Sequence, residues 1–354
     1  MSPRRGGVSR EQRPKSRSHR RPSAQQRAER RARSERRARS GEALAQPAAG
    51  ERRGLVSTRI GPVYRLRLLD GEEQTEPELI DCIARGAARA AVVGDIVRFI
   101  DEESVLGAGL ITAIEARRNA LVRADALGRR AQTLAANLDR IWIVSAIRPP
   151  PRSGLIDRYL VAAQQQGIAA GLLFNKIDLL DEAARDELTA LAEAYAPLDI
   201  PIHWLSAESG EGLEAFQGAL SHERVVLVGH SGVGKTSILN ALIPTLEAEV
   251  NALSESSGRG QHTTTTSALY TFSGGGELID SPGVRGFALW GVPPEELASY
   301  FPELAALAGE CHFHNCQHLS EPRCAVRAAL GESISQLRYD GYLRLRGELC
   351  VEWS

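Results

Sequence analysis

The chain has 354 residues, enough for two or three domains, and 43% of them are apolar, as in a globular protein. Its formal net charge of −1 conceals a split, because residues 1–53 carry 17 Lys+Arg against 5 Glu and the remainder 26 against 39. No apolar run reaches the ~18 residues that span a bilayer, and no apolar core suits a secretory signal. The expectation is a cytoplasmic protein without membrane contact.

Residues 1–53 are rich in Arg, Ser, Ala and Gln, with few large apolar side chains. Such a segment cannot bury enough surface to offset its ordering entropy and is expected to be a disordered basic arm. It is either a solubilising tail or a nucleic-acid arm, whose phosphate contacts release counterions without reading sequence. Residues 54–118 then alternate like strands: GLVSTRI, PVYRLRLL, ELIDCIA, VGDIVRFI and GLITAIEA. Five short strands so closely spaced predict a small β-barrel of the OB type. Residues 117–136 are polar and Ala-rich and read as a connector.

From Asp139 the pattern changes. RIWIVSA, IAAGLLFN, PIHWLSA, ERVVLVG, ALYTF and GELID read as strands, and helical segments separate most of them. This predicts an α/β domain over 130–289, with a mostly parallel sheet whose ligands bind beyond the strands' carboxyl ends. Asn175, Lys176, Ile177 and Asp178 form N-K-x-D at one such end. Asp178 would accept guanine N1–H and N2–H₂, donors that adenine lacks, and so reject adenine by roughly 10⁴-fold. Asn175 would meet the N7/O6 edge, the Lys176 stem would cover the ring, and Ser206 and Ala207 would bring a backbone N–H to O6.

Residues 229–236, GHSGVGKT, match G-x-x-x-x-G-K-[ST] between an apolar strand and a helix. Gly229, His230, Ser231, Gly232, Val233 and Gly234 would cradle phosphate oxygens with backbone N–H groups. Lys235 would hold the β- and γ-phosphates, and Thr236 would ligate Mg²⁺. His230 is expected to face outward. The chain has only three lysines, Lys15, Lys176 and Lys235. Two of them stand in nucleotide motifs, where a slim ammonium cannot be exchanged for a planar guanidinium.

Asp280 and Gly283 form D-x-x-G, with Asp280 on Mg²⁺ and the Gly283 N–H sensing the γ-phosphate. In the preceding Thr run, one of Thr263, Thr264 and Thr265 would complete the Mg²⁺ shell, Thr264 being the choice. Val284 stands where many signalling GTPases orient water with Gln, so intrinsic hydrolysis is expected to be slow and partner-dependent. His262 is the alternative group for positioning water.

Three of the five cysteines fall in CHFHNCQHLSEPRC, residues 311–324, within a mostly helical stretch, 290–354. Cys311, Cys316, His318 and Cys324 would form a closed Cys₃His zinc site, with His312 and His314 as competing imidazoles. A closed site has no water position, so the zinc would be structural and stabilise folding by roughly 10 kcal/mol. Cys82 and Cys350 read as packed thiols.

The base reader precedes the phosphate loop, the reverse of the usual GTPase order, and resembles the circularly permuted GTPases. With the five-strand module before and Cys-x₄-Cys-x-His-x₅-Cys after, residues 54–340 are similar to the RsgA (YjeQ) family of small ribosomal subunit biogenesis GTPases. The resemblance implies an OB-fold barrel, a permuted P-loop G domain and a mostly α zinc domain. It implies GTP hydrolysis to GDP and phosphate, stimulated by the 30S subunit during late maturation, with 16S rRNA contacts and a monomeric chain. The family's GTP motifs map onto Asn175–Asp178 and Gly229–Thr236, and its zinc ligands onto Cys311, Cys316, His318 and Cys324. Two positions depart from its pattern. Gln261 stands where a basic residue is expected, and Arg323 where Gly usually precedes the last Cys.

Overall fold

The first strand, β1 (Arg52–Ile60), belongs to two structures at once. In this computed structural model the described residues are 50–69, 78–101, 109–125, 128–244, 267–272, 274–280 and 287–353. β1 pairs with β2 (Val63–Leu68) along its length and with β4 (Ile96–Ile100) near its start, Leu55 facing Ile96. β2 continues to β3 (Leu79–Ala84), and β3 lies parallel to β5 (Gly109–Ile114), which returns to β4. The order β1-β2-β3-β5-β4 therefore closes on β1, the OB-type barrel that the strand spacing predicts. Leu55, Tyr64, Leu66, Cys82, Val97, Phe99 and Ile111 are buried and belong to its core, each contributing on the order of 1.5–3 kcal/mol where large and apolar.

A bulge between Val56 and Thr58 redirects β1. Its far end then pairs antiparallel with β12 (Ser267–Phe272), Thr58 opposite Ala268 and Arg59 opposite Ser267. β12 is the border strand of a second sheet with β8 (Arg140–Ala146), β9 (Ala169–Asn175), β10 (Ile202–Trp204), β11 (Arg224–Gly229) and β13 (Gly276–Asp280). Their order is β10-β9-β8-β11-β13-β12, parallel throughout except for β12. Across the junction, Glu277 on β13 accepts from Arg224 on β11 and from Arg67 on β2. The continuous ladder and this shared carboxylate join barrel and nucleotide sheet.

Among the described residues four helices flank the sheet: α1 (Ser153–Gln166), α2 (Glu182–Tyr195), α3 (Leu213–Ala219) and α4 (Lys235–Leu242). The Asp181 side chain caps α2 by accepting from the Ala184 N–H at 2.8 Å. The stretch expected to be a plain connector is a hairpin instead, β6 (Ala120–Ala124) with β7 (Ala131–Ala136). It buries Leu121, Leu134 and Ala135. Alanine's small side chain muted the alternation that marks a strand.

The C-terminal part is helical: α5 (Pro302–Ala308), α6 (Ala325–Ala328) and α7 (Gln336–Trp353). α7 crosses α1 at a buried charge cluster. Arg338 is 2% exposed, pairs with Asp157 of α1 and donates to Glu303 of α5 at 2.7 Å. The Tyr195 hydroxyl of α2 donates to the same Asp157 oxygen at 3.0 Å. Burial pushes the Asp157 carboxyl up from its usual range, and the Arg338 charge opposes that. A Cβ on Gly341 would stand 2.0 Å from an Asp157 oxygen, so only glycine lets the helices approach this closely. Arg338→Met, which leaves the carboxylate buried without its charge partner, is expected to cost about 3–5 kcal/mol. The measurement is a urea midpoint, and Asp157→Asn in the same chain should recover much of the loss. Equal stability of parent and single variant would contradict the cluster's role. Cys82 is packed as expected, but Cys350 is exposed on α7, one face of which lies away from α1.

Candidate active site and metal centre

The carboxyl ends of the parallel strands align. Ala146 of β8 faces Asn175 of β9, Val144 of β8 faces Gly229 of β11, and Trp204 of β10 faces Phe174. With Val226 opposite Ile279, Asp280 ends β13 on the same side as the phosphate loop. The topology thus brings N-K-x-D, the Ser206–Ala207 turn, the phosphate loop and Asp280 to one edge.

Asn175 is 1% exposed and holds these segments together. Its amide Nδ2 donates to the Val233 carbonyl at 2.9 Å, and its Oδ1 accepts from the Ala207 N–H at 3.1 Å. The two groups that sequence assigns to the guanine N7/O6 edge bond to each other here. Ser206 is buried and its hydroxyl accepts from the Ser209 N–H at 3.0 Å, bracing the turn. Lys176 adopts a left-handed backbone (φ 65°), a conformation disfavoured for any residue but glycine. Its ammonium donates to the Gly232 carbonyl at 2.6 Å and the Arg148 carbonyl at 2.9 Å. Ile177 is buried beneath the turn, whereas Asp178 is exposed, with no hydrogen-bond or ion-pair partner among the described residues. Its carboxylate is the group presented outward.

In the phosphate loop, Lys235 donates to the Gly229 and His230 carbonyls at 2.8 and 2.7 Å. Ser231, Gly232 and Thr236 are exposed and Val233 is buried. His230 is half-buried, its Nδ1 donating to the Ser231 carbonyl at 2.6 Å, rather than projecting freely outward. Gly234 has φ 94°, and a Cβ there would lie 2.2 Å from Asn175 Nδ2. Gly234→Ala is therefore expected to break the tie between loop and base reader. Left-handed strain and a lost buried hydrogen bond, each about 1–2 kcal/mol, predict GTP and GDP binding weaker by at least about tenfold. Titration with a fluorescent nucleotide checks this, and unchanged affinity would refute it. His262, Thr263, Thr264, Thr265, Gly283 and Val284 lie outside the described residues.

At the other site, the ligand atoms of Cys311, Cys316, His318 and Cys324 all lie within 4.8 Å of one another. The His318 Nδ1 is 3.5 Å from both the Cys311 and Cys324 sulfurs, which are 3.9 Å apart. A tetrahedral zinc with ordinary Zn–S and Zn–N bonds has S···S and S···N edges of about 3.8 and about 3.6 Å. The four residues therefore fit such an ion. Burial lowers the His318 pKa and keeps the imidazole neutral, the form that ligates. His312 is engaged elsewhere, its Nε2 2.6 Å from an Arg323 guanidinium nitrogen, and His314 is exposed. Arg323 itself has φ 59°, which explains why glycine is expected there; an Arg in that region costs about 1–2 kcal/mol.

Sequence reasoning missed what braces this loop. Glu321 accepts from the Gln317, Leu319 and Ser320 N–H groups at 2.8, 2.7 and 3.0 Å. Burial works to raise its pKa, but these donors prevail and hold it at about 2. From α7, the Tyr339 hydroxyl donates to the His318 carbonyl at 2.6 Å and the Tyr342 hydroxyl to the Gln317 carbonyl at 2.7 Å. The helix that braces the metal loop is thus the one that Arg338 anchors to α1. The Gly in RYDGYL was its only trace in the sequence.

A family model described as RsgA GTPase matches residues 114–290. "Small ribosomal subunit biogenesis GTPase RsgA" of Pseudomonas fluorescens Pf-5 is 42% identical over 300 residues, covering 84% of this chain and 86% of that protein. The chain belongs to the RsgA GTPase family. The protein of the same description from Azotobacter vinelandii is 43% identical over 286 residues, covering 81% of this chain and 82% of its own. The crystal structure of YjeQ from Thermotoga maritima superposes with a TM-score of 0.68 at 31% identity, covering 85% of this chain and 99% of that one. YloQ, described as a circularly permuted GTPase, gives 0.65 at 26% identity, covering 87% and 98%. As an RsgA GTPase the chain is a GTP hydrolase with permuted motif order, and its Cys₃His site can hold a metal ion. Among the described residues no helix is long and apolar enough to cross a membrane.

Proposed function

We propose that the protein is a cytoplasmic, monomeric GTPase that binds the 30S ribosomal subunit and 16S rRNA and hydrolyses GTP to GDP in late subunit maturation. The observation that carries this is the convergence of N-K-x-D, the Ser-Ala turn, the phosphate loop and Asp280 on one sheet edge, between a β-barrel and a metal-binding module. Relatives named for small ribosomal subunit biogenesis support the partner. Asp178 reads guanine. Lys235 and the backbone of Gly229–Gly234 hold the phosphates, and Thr236 and Asp280 would hold Mg²⁺, which would supply positive charge to the phosphate groups when bound. His262, Thr264 and Gly283 are proposed to complete the hydrolytic end. Cys311, Cys316, His318 and Cys324 bind one structural Zn²⁺. The boundaries proposed for the parts are 1–53, 54–118, 130–289 and 290–354.

Multiple-turnover GTP hydrolysis, measured with and without purified 30S subunits, tests the reading. Stimulation of tenfold or more is expected, comparable to removing about 1.4 kcal/mol from the barrier. Equal rates would favour an RNA-binding adaptor in which nucleotide is only structural. ADP binding as tight as GDP binding would favour an ATP-using enzyme.

A further inference from the structure

The loop between β8 and α1, residues 147–152, reads IRPPPR. Sequence reasoning gave it no role. Its backbone is fastened to the nucleotide machinery at one point, and its first proline lies close to the phosphate loop. The Arg148 carbonyl accepts from the Lys176 ammonium that also binds the Gly232 carbonyl. The next residue, Pro149, has its Cδ 3.5 Å from where a Cβ on Gly232 would stand. Three consecutive prolines restrict the loop's backbone. Arg148 and Arg152 are both exposed, and neither guanidinium has a partner among the described residues.

The turns after β9 and β10 carry the other sign. Asp178, Asp181 and Glu182 follow β9, and Glu208 and Glu211 follow β10. All five are exposed, and none pairs with a basic side chain among the described residues. A nucleoside triphosphate carries several negative charges, so these turns repel it. The lysines of the two motifs are turned inward: Lys176 holds two carbonyls, and Lys235 holds two more. Among the described residues, the proline loop places two exposed cations, Arg148 and Arg152, in the loop that touches the phosphate loop.

We propose that Arg148, seconded by Arg152, is an electrostatic guide for the nucleotide: it draws the phosphate tail to the phosphate-loop side, leaving the base to the acidic turns. The inference rests on the nucleotide reading above. Charges so placed raise association rates for charged ligands, and salt abolishes the gain.

Stopped-flow association of fluorescent GTP and GDP with Arg148→Ala, and with Arg148→Ala/Arg152→Ala, tests it. At about 0.02 M salt the double variant should associate with GTP about tenfold more slowly, with a smaller loss for GDP. At about 0.5 M salt it should match the parent. Guanosine, which has no phosphate, should bind both proteins equally in equilibrium competition. An unchanged rate at low salt overturns the proposal. So does a loss that persists at high salt or falls equally on guanosine, because either marks a packing role for the loop. A parent protein that binds no guanine nucleotide overturns the nucleotide reading instead, before any variant is compared.

Discussion

Asp178→Asn is expected to turn a guanine pocket into a xanthine pocket. An ionised Asp178 offers two acceptors, matched to guanine N1–H and N2–H₂. An amide offers one acceptor and one donor, matched to xanthine N1–H and its C2 carbonyl oxygen. The mismatched pair leaves a polar group unpaired on each side, which sites of this kind penalise by about 10⁴-fold. Asp178 is exposed and partnerless among the described residues, so the exchange breaks no internal contact and the fold should be unaffected. Hydrolysis of GTP and XTP by parent and variant gives the answer. A variant that keeps its preference for GTP would remove Asp178 from the base-reading role.

Metal removal is expected to have the largest effect on stability. The Cys₃His geometry matches a closed tetrahedral ion, and a structural zinc contributes on the order of 10 kcal/mol to folding. Little apolar packing is available to replace it, since His312, Phe313, His314, Leu319 and Ser320 in the loop are exposed. A strong chelator should release one zinc per chain and lower the melting temperature. Cys324→Ser should do the same without chelator. The damage should extend beyond the loop, because α7 carries both Tyr339 and Tyr342 against it and Arg338 into the α1 cluster. A stripped protein that melts like the loaded one would refute a structural metal.

What could be read from the sequence was what depends on neighbours along the chain. Alternating apolar residues marked the barrel strands, and the glycines and lysine of GHSGVGKT marked a turn between a strand and a helix. Cysteine spacing indicated the metal loop. What escaped was tertiary or muted. The β6–β7 hairpin hid behind alanines, and Cys350 gave no sign that it would be exposed. The spacing assigns Asn175 to its motif, but its bonds to Val233 and Ala207 could not be read there, because they exist only once β9, β10 and β11 are aligned. Arg338 and Asp157 are 181 residues apart and carry no common pattern. Nothing local distinguishes them from surface charges.

The strand shared by barrel and nucleotide sheet has a mechanical meaning. β1 meets β12 through only two residue pairs, and one of them is Arg59 with Ser267, the first residue of β12. The chain enters β12 directly from the Thr-rich run. A displacement of the barrel is therefore passed along β1 to Ser267, the residue that follows that run in the sequence. The ladder does not act alone, because Arg67 of β2 meets Glu277, and the Gly94 carbonyl before β4 accepts from Arg224, so barrel and nucleotide sheet are coupled on both sides of the strand that follows the run.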